Sequence, residues 1–223
     1  MSEIDLKEVR KQKIKEIKTG LILDAALEVL SQKGYYETRL EDIAEKAGFS
    51  KSALYRYYKD KDEIFFTIAV RESKKIIDRL YTGEYRLSND NHIVENMRRL
   101  LTISITAWGE HFSFLLTLNS FQVISLMGAL QKQTKLMKAE KEYIVCENKM
   151  SRLMIGLFEN AKKKGEISSQ LNSEVFFDFF QGIIFIKIKK WYQQKKMDDI
   201  SVTIEEILAF FSAGLGIRLH KNE

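Results

Sequence analysis

None of the 223 residues is proline, where average usage of about 5% predicts roughly eleven. A backbone without proline lacks the strongest helix breaker and the residue that pre-sets tight turns. Long uninterrupted helices are the expected outcome, and the hydropathy pattern agrees. From Ile14 to Lys33 the apolar positions Ile17, Leu21, Ile22, Ala25, Val29 and Leu30 recur at helical spacing. Gly34 is a natural stop for that helix. Apolar-rich helical runs follow over 93–108, 112–130, 135–164, 172–195 and 203–219. Residues 102–106 alternate like a strand but lie inside a helical pattern, so they read as helix. The fold class is all-α.

Composition narrows the function classes. At 45% hydrophobic and 30% charged residues, the chain can bury the core of one large or two small domains. Cys146 stands alone, so no internal disulfide and no cysteine zinc site is available, and His92, His111 and His220 share no metal spacing. No metal and no cofactor is expected. No nucleophile–base spacing, phosphate loop or glycine-rich dinucleotide turn appears, which argues against an enzyme; Gly214-Leu215-Gly216 follows a helical run with no strand before it. The first 18 residues are charged throughout and lack the apolar centre of a signal peptide. No run of about 18 apolar residues exists, so no membrane partner is expected and the reading is cytoplasmic.

Between Gly34 and Tyr81 the chain turns several times. Thr38-Arg39-Leu40-Glu41 fits a capping box, with the Thr38 hydroxyl accepting from the backbone three residues on and Glu41 reaching back. A short helix runs to about Ala47, and Gly48-Phe49-Ser50 makes a turn. Ser50 caps another short helix to about Tyr58, and Asp60 to Glu63 opens a fourth that reaches about Tyr81. Two short helices in close contact need a small residue where they touch and a glycine where the chain turns left-handed. Ala44 and Gly48 supply them. Ile43, Ala47, Leu54 and Tyr58 are placed to face inward, and Lys51, Ser52, Ala53, Tyr55, Arg56 and Tyr57 to face out.

Such a pair is a helix-turn-helix whose second helix fits the DNA major groove. Arg56 suits a bidentate contact to guanine, Lys51 and Ser52 reach bases or phosphate, and the Ala53 methyl suits a thymine methyl. Tyr55, Tyr57, Lys59 and Lys61 suit phosphates, which set register and carry the salt dependence. Thr38 and Arg39, at the entry to the preceding helix, complete the candidate set. The net charge of +5 is too small to decide the matter. Its distribution is more telling: residues 46–59 carry Lys46, Lys51, Arg56 and Lys59 without an acid, and a basic arm precedes Ile14.

Residues 22–66 resemble the N-terminal domain of the TetR family of transcriptional regulators. The matching pieces are the amphipathic first helix, Gly34-Tyr35, Thr38, Ile43-Ala44, Ala47-Gly48-Phe49-Ser50-Lys51, Leu54-Tyr55, and Lys59-Asp60-Lys61 leading into Ile64-Phe65. Arg39, Ala53 and Tyr58 depart from residues common in the family, which bears on the operator sequence and not on the fold. The resemblance implies an all-helical homodimer, a DNA-binding head over 1–60, and a helical effector-binding and dimerisation domain over 61–223. It also implies palindromic double-stranded operator DNA, read in two successive major grooves, and a small effector.

In the C-terminal part, residues 175–186 are apolar on nearly every face, as a helix buried on two sides requires. In the family the last two helices pair with their twofold mates. Phe179, Ile183, Ile186 and Trp191 on the first, with Ile207, Phe211, Gly214 and Leu215 on the second, are the expected interface. An effector cavity would draw its walls from Trp108, Phe112, Phe114, Phe121, Met127, Phe158, Phe177 and Phe180, with His111 and Gln181 as polar handles. That content suits a small hydrophobic or aromatic ligand. The expectation is a repressor released by such an effector, with the fourth helix coupling the two parts. A protein of the same fold without an effector, controlled by a protein partner or organising the chromosome, is the alternative.

Overall fold

The computed structural model describes residues 3–109, 111–120, 137–168 and 170–217, with the backbone alone for residues 3–5 and Trp108. The helices are α1 (Glu3–Lys33), α2 (Leu40–Ala47), α3 (Lys51–Leu54), α4 (Lys61–Tyr81), α5 (Ile93–Gly109), α6 (112–120), α7 (Lys138–Lys163), α8 (Ser173–Gln194) and α9 (Ile200–Leu215). No strand forms among the described residues; Ile167 and Ile217 make an isolated antiparallel bridge. None of the described helices is long and apolar enough to cross a membrane. The chain divides into two compact units, Met1–Arg71 with Ser113–Tyr143, and Glu72–Phe112 with Ile144–Glu223. The division at 71/72 falls inside α4, and the 82–91 loop lies within the second unit.

In the first unit the second half of α1 buries Ile22, Ala26 and Leu30, spaced four apart on one face. Ile43 and Ala44 of α2, Leu54, and Ile64, Phe65 and Ile68 of α4 are buried in the same unit. The Phe65 ring meets Tyr35 edge-on at 5.2 Å and lies 4.5 Å from Phe114. The first helix starts eleven residues earlier than its apolar period predicts, so the basic arm is itself helical. Residues 6–17 are all exposed. Local contacts such as Gln12 Nε2 donating to Glu16 at 2.8 Å support this stretch.

The turns carry the architecture of this unit. Gly34 and Gly48 have φ of 79° and 73°, the left-handed conformation that L side chains avoid. At Gly48 the α2 carbonyls are closed by Gly48 N to Glu45 O at 3.1 Å and Phe49 N to Ala44 O at 2.8 Å. Nothing lies within 4 Å of where a Gly48 Cβ would sit, so the demand for glycine is conformational. Ser50 caps α3 as expected, accepting from Ala53 N at 3.2 Å. The cap of α2 differs from the expected box by one residue. Arg39 N donates to Asp42 Oδ2 at 2.8 Å, while the Thr38 hydroxyl turns back to donate to Gly34 O at 2.6 Å. The carbonyl left over at the end of α1 takes the hydroxyl, and Glu41 is engaged elsewhere. α3 is also shorter than expected. Regular α-helix ends at Leu54, and the chain tightens into i→i−3 bonds, Arg56 N to Ala53 O and Tyr57 N to Leu54 O.

In the second unit a cluster of rings forms the centre. Phe158 and Phe176 stack at 4.0 Å, and Phe180 and Phe211 lie 5.8 and 5.6 Å from Phe176. Asn172 caps α8 and Asp199 caps α9 through their side-chain oxygens. The buried Asn96 ties down the 82–91 loop, donating to Ser88 O at 2.8 Å and accepting from Ser88 N and Asn91 Nδ2 at 3.2 Å.

Two substitutions probe these anchors. The Tyr58 hydroxyl is buried with no hydrogen-bond partner among the described residues, and burial pushes its pKa up to about 12. Tyr58→Phe removes that orphaned donor and is expected to raise stability by about 1 kcal/mol. Gly48→Ala is expected to lower it by about 1 kcal/mol, because alanine must hold the left-handed turn. Denaturant unfolding of each variant checks both signs.

Candidate nucleic-acid interface

The first unit presents α3 with one side locked and the other open. Leu54 and Tyr58 are buried, which turns Lys51, Ser52, Tyr55 and Arg56 outward. Ala53 and Tyr57 are half-buried, and the Tyr57 ring meets Phe49 edge-on at 6.2 Å. Arg39, ahead of α2, and Lys59, after α3, are exposed. Of the residues placed to face inward, Ile43, Leu54 and Tyr58 are buried and Ala47 is only half-buried; of those placed to face out, Ala53 and Tyr57 are half-buried and the other four are exposed.

The charges around this face are largely committed. Lys46 meets Glu28 at 2.6 Å, Lys33 meets Asp42 at 2.8 Å, and Lys51 pairs with Glu41. The Lys46 hydrogen bond holds Glu28 below the ordinary carboxylate range, and the Lys33 bond, with the Arg39 amide, does the same for Asp42. The Arg56 guanidinium makes no hydrogen bond or ion pair with the described residues. It is an exposed cation in the turn that closes the second helix of a helix-turn-helix.

Two members of the expected set face the other way. Thr38 is 2% exposed and its hydroxyl is used on Gly34 O, so its side chain offers nothing to an outside partner. Lys61 folds inward: Nζ donates to Tyr35 O at 2.5 Å and Thr38 O at 2.9 Å, and sits 4.2 Å from the Tyr35 ring centroid. Burial lowers the Lys61 pKa. The Tyr35 hydroxyl donates to Asp62, and burial with that carboxylate raises its pKa. This knot joins the α1–α2 connection to the start of α4. The sequence held a signal for it, because a lysine in the first turn of a helix opposes the helix dipole and needs another reason to be there.

The C-terminal expectations fare unevenly. Trp191, Ile207, Phe211 and Leu215 are all under 5% exposed in the single chain, so they belong to its own core. Trp191 is held there by Nε1 donating to Asp198 at 2.9 Å. Phe179 (59% exposed) and Ile186 (65%) do face outward, Ile183 is half-buried and Gly214 is exposed. Val175, Val202 and Phe210, which periodicity alone did not single out, are exposed with them. Among the expected cavity walls, Phe114 belongs to the first unit, packed on Phe65. Phe158 and Phe180 lie in the aromatic core, Phe177 and His111 are half-buried, and Gln181 is exposed and so not an interior polar handle. Phe112 lines an open cleft of about 480 Å³ with Tyr192, Lys195 and Met197. The Trp108 side chain, Phe121 and Met127 lie outside the described residues. No cluster of potential metal ligands occurs among the described residues.

Comparison with known proteins agrees with this geometry. Residues 22–68 match the family described as "Bacterial regulatory proteins, tetR family". The chain is 21% identical over 194 residues to the fatty acid metabolism regulator protein of Bacillus subtilis, covering 87% of this chain and 93% of that protein. The fatty acid degradation regulator FadR of Bacillus halodurans has a similar structure, with a TM-score of 0.68 at 16% identity over 90% of this chain and 97% of the other. FadR of Bacillus subtilis, crystallised in complex with stearoyl-CoA, superposes with a TM-score of 0.64 at 18% identity, covering 87% and 97%.

The inward lysine separates stability from binding. Lys61→Met leaves two carbonyls without their charged donor and is expected to destabilise the protein by about 1–2 kcal/mol. The slope of log affinity for duplex DNA against log salt should stay unchanged, whereas Lys59→Met should make it shallower by about 0.9. Thermal melts and salt titrations distinguish the two lysines.

Proposed function

We propose that this chain, whose head is that of a tetR-family regulatory protein, is a DNA-binding transcriptional regulator that acts as a repressor and leaves its operator when it binds a small hydrophobic effector. The observation that carries the DNA contact is Arg56, exposed in the turn that closes α3, with a guanidinium that has no partner among the described residues. A bidentate fork of this kind reads the O6 and N7 of guanine. Lys59, Arg39 and the exposed basic first turns of α1 supply phosphate contacts around it.

A homodimer presents two such heads to a palindromic operator, with half-sites about 34–36 Å apart. Support for the dimer comes from α8 and α9, where the large apolar side chains of Phe179, Ile186, Val202 and Phe210 are open to water in the single chain. The effector is of the fatty-acyl thioester class. The relative solved with stearoyl-CoA and the fatty acid regulator of Bacillus subtilis support this assignment. The effector acts by favouring a conformer whose heads no longer match the half-site spacing, and it shifts the population by no more than its differential affinity.

Fluorescence anisotropy on a duplex selected by the protein from a random pool tests the reading. Wild type should prefer it over scrambled DNA by about 10³ or more, and Arg56→Ala should lose about 1–3 kcal/mol on the selected duplex alone. Long-chain acyl-CoA should release the selected duplex, while free coenzyme A should not. Equal affinity for both duplexes would refute specific regulation. Phe179→Glu with Phe210→Glu should convert the dimer to monomer in sedimentation and weaken operator binding.

A further inference from the structure

The surface that α3 would turn to DNA carries an acid. We propose that Glu41 is a specificity-determining residue, whose carboxylate holds the Lys51 ammonium and competes with DNA phosphate for it, so that binding to random sequence is suppressed. The proposal rests on the DNA-binding reading above.

Glu41 is the second residue of α2 and Lys51 the first of α3, and the turn at Gly48 brings their side chains into an ion pair. Both are about half exposed, at 53% and 52%. The hydrogen bond between them raises the Lys51 pKa and lowers that of Glu41. Because Lys51 opens the short helix that carries Ser52, and Arg56 sits in the turn that closes it, any approach that brings Arg56 to a base edge also brings the Glu41 carboxylate to the DNA. An anion there must stay neutralised by its lysine or face a polyanion unscreened.

The consequence differs between sequences. On random DNA, Arg56 finds no matched guanine and affinity rests on phosphate neutralisation, about 0.9 in the salt slope for each contact. Lys51 adds to that sum only by leaving Glu41, and the bare carboxylate then repels the backbone. On the matched site the Arg56 base contact fixes the register, and Lys51 stays on Glu41. The acid thus weighs mainly against the wrong partner, which is how specificity arises from a repulsive element. A pair this exposed is weak, so the effect is a several-fold bias and not a lock. Lys46–Glu28 and Lys33–Asp42 are similar pairs, but neither lysine lies on α3.

The test is anisotropy with the selected duplex and a random duplex across a salt series, using Glu41→Gln, Lys51→Met and the double variant, each with a thermal melt. Glu41→Gln should tighten random DNA about 3–10-fold and steepen its salt slope by about 0.9, with less than about twofold change on the selected duplex. Adding Lys51→Met should cancel both gains. Selective loss on the selected duplex would overturn the proposal and make Glu41 a reader of a base amino group. Equal tightening on both duplexes, or no change on either, would also overturn it. Failure of wild type to prefer the selected duplex would instead remove the DNA-binding reading on which the proposal stands.

Discussion

A helix of four residues cannot hold itself together, since forming its first turn fixes several dihedrals for one hydrogen bond. α3 is such a helix. Its existence depends on what grips both ends: the left-handed turn at Gly48 and the Ser50 cap on one side, and the buried Leu54 and Tyr58 on the other. The exposed residues inherit their direction from those anchors. Arg56 points outward because Leu54 and Tyr58 point inward two positions either side. The outward-facing chemistry is therefore positioned by residues that are themselves buried.

That core is itself closed by a half-buried cation. Lys61 bridges the Tyr35 and Thr38 carbonyls, and the Tyr35 hydroxyl meets Asp62. Together they tie the α1–α2 connection, whose backbone would otherwise hold unpaired carbonyls, to the first turn of α4. A charge-assisted bond to a carbonyl in a partly dry site is stronger than a neutral one. The same residue type plays two parts within three positions, since Lys59 stays in water. Charge counted along the chain does not separate these parts. The acids Glu28, Glu41 and Asp42 answer Lys46, Lys51 and Lys33 one for one, while Arg56 has no such answer among the described residues.

Local features of the head are legible in the order of residues alone. The stop at Gly34, the turn at Gly48, the Ser50 cap and the inward set Ile43, Leu54 and Tyr58 depend on neighbours within one helical turn, where residue type and spacing suffice. Reading fails where two options differ by one residue or by a distant contact. Thr38 and Arg39 compete for the cap of α2, and the choice falls to a Gly34 carbonyl four residues back. On α8 and α9, apolar residues face both the protomer's core and its surface. Trp191, Ile207, Phe211 and Leu215 cannot be told from Phe179, Ile186 and Phe210 by hydropathy, because large apolar side chains stand on the exposed face as well as the buried one.

By itself the sequence determined the helical class and the helix-turn-helix, since the lack of proline, the 3.6-residue apolar period and two glycines at left-handed turns are local demands. The tertiary structure decided which cations are free to meet a partner and which apolar residues are core. Those outcomes depend on groups that local spacing does not connect, such as Lys61 with Tyr35 or Trp191 with Asp198. Periodicity gives the face of a helix but not what will lie against it, and for charges and apolar side chains that neighbour sets the energy.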